Sequence, residues 1–177
     1  ADHLSSQIKQ RPSGISFIDN TPAHNVNQSS KTLFVNVSHT EVNPGILTFY
    51  LNDSLNKNKS YAGSFTNITV VNLNDGFYNY LVEINDSANN TNRTETRIIG
   101  IDTRAPVVQS ETPLNNTFST GNNVVFRYNV TDTTLDVANC SLLINGTVNR
   151  TNQSITEGLS QNFSLDLNNG NYTWNIS

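Results

Sequence analysis

The sequence has little charge, a single cysteine and no methionine. Only 14% of its 177 residues are charged, and its ten lysines and arginines are spread over the whole length. Binding to nucleic-acid phosphates needs a basic stripe, so no nucleic-acid partner is expected. A run of about eighteen apolar residues is also absent, so we expect no membrane span. Cys140, without an intrachain partner, is either a small buried hydrophobe or half of a bridge to another chain.

Patterns typical of catalysis and metal binding are scarce as well. His3, His24 and His39 show no His-x-His or Cys-x-x-Cys spacing, and we predict that they are solvated, in a terminus and in loops. No Gly-x-Ser-x-Gly motif is present. Aspartates at predicted strand ends are candidates for Ca²⁺ between domains, but no Asp-x-Asp-x-Asp loop occurs and turn roles explain them better. These aspartates are Asp53, Asp75, Asp86, Asp102 and Asp132. We therefore expect no enzyme activity and no cofactor.

The chain contains two copies of one pattern. Residues 74–82 return as residues 168–176, and Asn20-Thr21-Pro22 returns as Glu111-Thr112-Pro113. The offset between the copies drifts only from 91 to 94 residues. A period of this length is too long for a solenoid repeat and suits two globular domains in tandem. We expect an N-terminal extension at residues 1–14, a first domain at 15–102 and a second at 103–177.

Apolar residues alternate with polar ones along most of both copies. This period of two predicts short strands, each with one face on a core and one in water, and turn signals such as Asn-Asp-Gly separate them. The pattern therefore predicts an all-β fold of two antiparallel sandwiches. The predicted core positions are Leu33, Val35, Val37, Leu47, Phe49, Leu51, Val71, Leu73, Tyr78, Tyr80, Val82 and Ile84 in the first copy, and Phe126, Tyr128, Val130, Cys140, Leu142, Ile144, Phe163, Leu165, Leu167, Tyr172, Trp174 and Ile176 in the second.

The first copy continues through a further predicted strand, Thr94 to Ile101, which has no counterpart before Ser177. We therefore expect the second domain to lack its final strand and to present an open edge. The absence of methionine fits removal of a signal peptide or a fragment cut from a longer protein. An extended segment could complete the edge, and residues 1–12 offer Leu4, Ser6 and Ile8 on one face. The predicted acceptor groove consists of Phe126, Tyr128, Tyr172, Trp174 and Ile176.

Asparagine is the compositional outlier, with 30 residues, and seventeen of them lie in Asn-x-Ser/Thr sequons. Chance explains some sequons in a sequence rich in Asn, Ser and Thr, but many fall on the predicted water face of a strand, where a sugar would not disturb packing. We therefore expect heavy N-linked glycosylation. The candidates are Asn27, Asn36, Asn52, Asn58, Asn67, Asn85, Asn89, Asn92, Asn115, Asn129, Asn139, Asn145, Asn149, Asn152, Asn162, Asn171 and Asn175.

Tyr78 and Tyr172 follow amide-rich turns and are candidates for the tyrosine corner of immunoglobulin-like domains. From about residue 15 to its end, the chain resembles the tandem immunoglobulin-like repeats of prokaryotic, especially archaeal, cell-surface proteins. The resemblance implies an immunoglobulin-like fold and an extracellular, cell-surface location. In that family a cysteine often follows the tryptophan-containing strand. The segments that carry the resemblance are residues 101–108, 112–116, 139–146 and 170–175.

These observations favour a non-enzymatic structural subunit of an extracellular, heavily glycosylated filament or pilus. Its partners would be other copies of the chain, joined head to tail by donor-strand complementation. Two alternatives stay open at this point. The chain could be a segment of a longer surface-layer or stalk protein, or it could be an adhesive, carbohydrate-binding module that stacks sugars on the outward aromatics Phe34, Tyr50 and Phe77.

Overall fold

The computed structural model describes residues 13–40, 44–61 and 63–177, and every regular element in these ranges is a β-strand. The chain divides into two compact units, Ala1–Thr103 (unit 1) and Arg104–Ser177 (unit 2). The predicted donor residues Leu4, Ser6 and Ile8 lie outside the described residues. The described residues form only β-sheets, and all but one of their strand pairs are antiparallel, which confirms the predicted all-β fold class.

The described part of unit 1 forms two sheets. One contains β1, β3 and β6 in that order, and all its pairs are antiparallel. The other runs β2-β9-β7-β4-β5, with β8 also paired to β7, and its β2–β9 pair is parallel. The strands are β1 (Ser13–Ile18), β2 (Val26–Gln28), β3 (Leu33–Thr40), β4 (Pro44–Leu51), β5 (Ser54–Ser60), β6 (Phe65–Val70), β7 (Gly76–Asp86), β8 (Thr91–Arg93) and β9 (Arg97–Ile101).

Unit 2 repeats this plan with fewer strands. One sheet has the order β10-β11-β14 and the other β13-β12-β15, and all pairs are antiparallel. Its strands are β10 (Val107–Thr112), β11 (Asn123–Thr131), β12 (Cys140–Ile144), β13 (Thr147–Asn152), β14 (Gln161–Asp166) and β15 (Trp174–Ile176). By alignment of the copies, β12 corresponds to β4 and β15 corresponds to β7.

Both units fold through the same tight hairpin. β4 and β5 are joined by Asn52 and Asp53, with φ of 48° and 58°. β12 and β13 are joined by Asn145 and Gly146, with φ of 51° and 79°. Positive φ at both residues of a two-residue loop is the type I′ geometry, whose twist matches that of paired strands. Asparagine, aspartate and glycine occupy these positions because they tolerate the left-handed region best.

The predicted alternation places most of the apolar residues correctly. Leu33, Val35 and Val37 are fully buried in unit 1, and Phe126 and Tyr128 are buried in unit 2. Three predicted placements are wrong. Val71 is exposed, because β6 ends at Val70 on the inward face and Asn72, at φ 60°, then resets the phase so that Leu73 is buried. Tyr172 is exposed, because it precedes β15 and its ring lies along the turn.

His39 is the third difference. It lies in β3, not in a loop, and it is buried because the inward phase of Leu33, Val35 and Val37 continues to it. Its Nε2 lies 3.1 Å from the Thr66 hydroxyl, and its ring packs edge-on against Tyr61 at 4.6 Å. A buried imidazole with these neighbours is a core residue of unit 1.

The predicted tyrosine-corner hydrogen bond is present in both units. The Tyr78 hydroxyl donates to the Asn74 carbonyl oxygen at 3.0 Å, and the Tyr172 hydroxyl donates to the Asn168 carbonyl oxygen at 3.1 Å. Each bond spans four residues and closes the turn that leads into β7 or β15. The same local contact therefore directs the chain into the same strand twice.

Because this hydrogen bond closes the turn before β15, we expect unit 2 to be less stable when the Tyr172 hydroxyl is removed. Tyr172→Phe should lower the free energy of unfolding of unit 2 by about 0.5 to 1.5 kcal/mol, because one hydrogen bond is lost without a cavity. Trp174 is the only tryptophan, so its fluorescence in a urea titration reports on unit 2.

Tyr50→Phe is the control, since no described residue hydrogen-bonds the Tyr50 hydroxyl, and it should leave that transition in place. An unchanged midpoint for Tyr172→Phe would contradict a stabilising role of the corner.

Candidate strand-acceptor edge

The edge of β15 that faces away from β12 is the candidate functional site. Ile144 lies opposite Trp174, and Leu142 lies opposite Ile176. The pair closes at Ser141 and Ser177, which exchange backbone hydrogen bonds of 2.7 and 2.9 Å. Across the described part of unit 2, β12 is the only strand that pairs with β15. One side of this strand is therefore satisfied and the other side is open.

Two residues present their backbone to the open side. Because Thr173 and Ser177 bond across to β12, the alternation of an antiparallel ladder turns the N–H and C=O groups of Trp174 and Ile176 outward from the sheet edge. The matching groups of unit 1 are satisfied. Tyr80 is paired with Arg97 of β9, and Val82 exchanges hydrogen bonds of 2.9 and 3.0 Å with Thr94.

The side chains at this edge are also less covered than in unit 1. Tyr80 is fully buried, whereas Trp174, at the matching position, is half-buried and contacts Phe126 edge-on at 5.3 Å. In unit 1, β9 contributes the fully buried Ile99 and Ile101. Among the described residues, the core of unit 2 has seven buried apolar residues with seven more that are only partly buried, whereas the core of unit 1 has fifteen buried and four partly buried, so a larger share of the apolar residues of unit 2 is incompletely covered.

The structure separates the predicted groove residues into three groups. Trp174 and Ile176 lie in β15 at the open edge. Phe126 and Tyr128 lie on β11 and are closed off in the core, so they do not line an open groove. Tyr172 lies on the surface before the strand begins. The site is therefore narrower than predicted and consists of the β15 backbone with Trp174 beside it.

Tyr128 shows why its position is closed. Its ring stacks on Phe163 at 5.3 Å, and its hydroxyl accepts a hydrogen bond from Asn152 at 3.2 Å. Burial raises the pKa of this phenol above its usual range, although the bond from Asn152 opposes that shift. Tyr128 is therefore a neutral core residue that joins the two sheets of unit 2.

An asparagine lock at the start of β15 was missed by sequence reasoning. Asn145 donates its backbone N–H to the Thr173 carbonyl at 2.9 Å, and its Oδ1 accepts the Thr173 N–H at 2.9 Å. Asn52 and Asn79 make the same two bonds in unit 1, at 2.9 and 3.0 Å. The available signal was that an asparagine follows the apolar strand in both copies. The lock ties the hairpin turn to the strand after the tyrosine corner.

The sequons differ in the exposure and the hydrogen bonds of their asparagine side chains. None of the seventeen asparagines is buried; twelve are exposed and five are half-buried. Asn152 is a poor acceptor, because its Nδ2, the atom that would carry sugar, donates to the Tyr128 hydroxyl at 3.2 Å and to Gln161 Oε1 at 3.1 Å. Asn129 is also unfavourable, because its Oδ1 is enclosed without a hydrogen-bond partner in the described structure.

Asp132, one of the aspartates at predicted strand ends, stabilises the turn that follows β11. Asp132 Oδ1 accepts the backbone N–H of Thr134 at 2.9 Å, and this contact holds the pKa of the carboxyl below its usual range. Among the described residues, no group of three or more His, Cys, Asp and Glu side chains lies close enough to hold a metal ion. No helix long and apolar enough to cross a membrane occurs there either.

Comparison with known proteins finds fold likeness only. No family model matches the chain, and no curated protein sequence matches it. The fibronectin(III)-like modules of Clostridium thermocellum CbhA superpose with a TM-score of 0.51 at 16% identity, over 92% of this chain and 84% of that one. The central fibronectin-III array of RIM-binding protein gives 0.36 at 14% identity, over 93% and 61%. A chimeric titin Z1Z2-Z1Z2 tandem gives 0.34 at 15%, over 87% and 85%. The first of these likenesses supports a fibronectin type III-like or immunoglobulin-like β-sandwich fold for this chain.

The solvent accessibility of β12, the strand paired with β15, can be measured through the reactivity of the Cys140 thiol. Its thiol is buried on β12, and burial raises its pKa, so both access and ionisation are suppressed. Labelling by a disulfide reagent at pH 8 should be at least about a hundredfold slower in the native protein than in urea.

A Thr120→Cys/Cys140→Ala variant supplies a matched exposed thiol and should react at the urea rate under native conditions. Equal native rates for Cys140 and this control would show that β12 is not covered as the structure has it.

Proposed function

We propose that the chain is a non-enzymatic structural subunit of an extracellular, heavily N-glycosylated surface filament. An extended segment of one copy would pair with the open edge of β15 in the next. The observation that carries this proposal is the edge itself, where the backbone groups of Trp174 and Ile176 pair with none of the described strands and lie beside a half-buried indole. Strand addition satisfies such backbone groups and covers the adjacent apolar side chains in one step.

Unit 1 indicates what the added strand must supply. β9 runs antiparallel to β7 and places Ile99 and Ile101 in the core, while its backbone pairs with Tyr78 and Tyr80. A donor therefore needs apolar side chains at alternate positions and no proline along its paired stretch. If the segment at residues 4–8 pairs as an extended strand, Leu4 and Ile8 would share one face with the small polar Ser6 between them, and the segment contains no proline.

A contact of this type builds an open filament when the rotation between copies does not close a ring. The donor segment and the acceptor edge are different surfaces of the same chain, so the interface is heterologous and each copy can repeat it with the next. Filaments of this kind belong outside the cell, which agrees with the sequon density and with the sequence resemblance to prokaryotic cell-surface repeats. The twelve exposed sequons would give these weakly charged sandwiches a hydrated surface.

The proposal predicts that a peptide can occupy the edge. In a variant that lacks residues 1–12, head-to-tail assembly should be lost, and a synthetic peptide of residues 1–12 should bind β15. Because Trp174 is the only tryptophan and is half-buried at the edge, binding should shift its fluorescence to shorter wavelength.

A peptide with Leu4→Glu and Ile8→Glu is the matched control and should give no shift, since a charge cannot enter the core uncompensated. If the shortened chain still forms filaments of normal length in the electron microscope, donor-strand assembly by this segment is wrong.

A further inference from the structure

Two copies of the sequence Phe-x-Asn-x-Ser/Thr lie side by side on the outer face of the β1-β3-β6 sheet. The first copy is residues 34–38 on β3, and the second is residues 65–69 on β6. The antiparallel register sets Asn36 opposite Asn67. It also sets Phe34 opposite Thr69 and Phe65 opposite Ser38. Two sequons and two phenylalanines therefore share one small patch of the sheet surface.

Both phenylalanines are exposed on the outer face of this sheet. Phe34 is 53% exposed and Phe65 is 66% exposed, whereas Val35 and Thr66, the next residue on each strand, are buried. The alternation therefore assigns both rings firmly to the outer face. The two rings lie on either side of the Asn36–Asn67 pair, four positions apart along the ladder, so each is an isolated exposed ring beside an asparagine.

The two asparagines in this patch are not equivalent. The Asn36 Nδ2 donates to the Asp19 carbonyl at 2.6 Å, and the residue is half-buried. Asn67 is exposed, and no described residue hydrogen-bonds its side-chain amide. Directly opposed residues have Cβ atoms only about 4.5 to 5.5 Å apart, so two attached sugars would compete for the same space. Asn67 is therefore the one of the pair that is open to modification.

We propose that Asn67 carries an N-linked glycan whose first sugar lies across the ring of Phe65. Phe65 is two residues before Asn67 on the same strand, at about 7 Å, which is within reach of a sugar attached at Nδ2. Phe34 lies in the opposite direction from Asn67 along the ladder, so the same sugar does not cover it. The C–H face of a pyranose is apolar, so stacking removes ring and sugar surface from water together. This inference rests on the glycosylation in the proposed function.

The first test is the occupancy of the two opposed sites. The full chain, secreted from a eukaryotic host that attaches N-linked sugar, is digested and its glycopeptides are analysed by mass spectrometry. The expected result is sugar on Asn67 and none on Asn36 of the same molecule. Sugar on Asn36 with Asn67 bare would overturn the inference. If the other exposed sequons are modified while Asn67 is bare, only this inference fails; if no sequon is modified, the proposed glycosylation fails as well.

The second test is a double-mutant cycle of thermal unfolding on the glycosylated protein. Phe65→Ala should lower the Tm of unit 1 by about 4 °C or more when Asn67 is modified, and by about 1 °C or less in an Asn67→Gln background. Phe65→Leu keeps the apolar bulk without the flat ring and should fall between these values. Equal shifts in both backgrounds would overturn the stacking.

Asn162 supplies the matched control for the cycle. It is an exposed sequon on β14, the strand of unit 2 that corresponds to β6, and its opposite residue is Arg127 where Asn67 has Asn36. The residue two positions before Asn162 is Ser160, so no phenylalanine stands where Phe65 stands relative to Asn67. Asn162→Gln should remove one glycan without changing the effect of Phe65→Ala. A change as large as that produced by Asn67→Gln would mean that bulk glycosylation, and not this contact, stabilises the chain.

Discussion

The pairing of the strand that follows each tyrosine corner is the interaction on which both sandwiches depend. In unit 1, β7 lies between β4 and β9, and the residues it directs inward, such as Tyr80 and Val82, are fully buried. In unit 2, β15 occupies the same place and has β12 alone among the described strands. Trp174, which stands at the position of Tyr80, is half-buried there.

The fold could be predicted because a period of two carries most of the information that an antiparallel sandwich needs. A shift of one residue in that period moves the side chains of a strand to the opposite face of the sheet. The inward residues of one strand are therefore predicted correctly together or wrongly together. The errors lie where the period ends. Asn72 has a left-handed backbone conformation and shifts the alternation between Val71 and Leu73, and the alternation of residue types alone does not predict such a shift. For His39, the polar residue type predicts an exposed side chain, whereas its position in the alternation of β3 predicts a buried one, and the side chain is buried.

The candidate site could be predicted only in outline. Comparison of the two copies shows which strand has no counterpart, but an inward-facing residue can lie at an edge or deep in a core, and phase does not distinguish them. Phe126 and Tyr128 are deep, whereas Trp174 is at the edge. Sequon spacing likewise says nothing of hydrogen bonds that hold the amide, and those bonds are what separate Asn67 from Asn36.

The proposed strand addition and the proposed glycosylation would make compatible demands on unit 2, because they would act along different directions. An added strand approaches β15 within the plane of the sheet and lies about 4.8 Å from it. Asn175, the outward residue of β15, projects perpendicular to that plane, so a sugar there would stand above the new strand without occupying its place. The glycan would shield the outer face from unspecific pairing, and the open edge would keep its selectivity for a strand with inward apolar side chains.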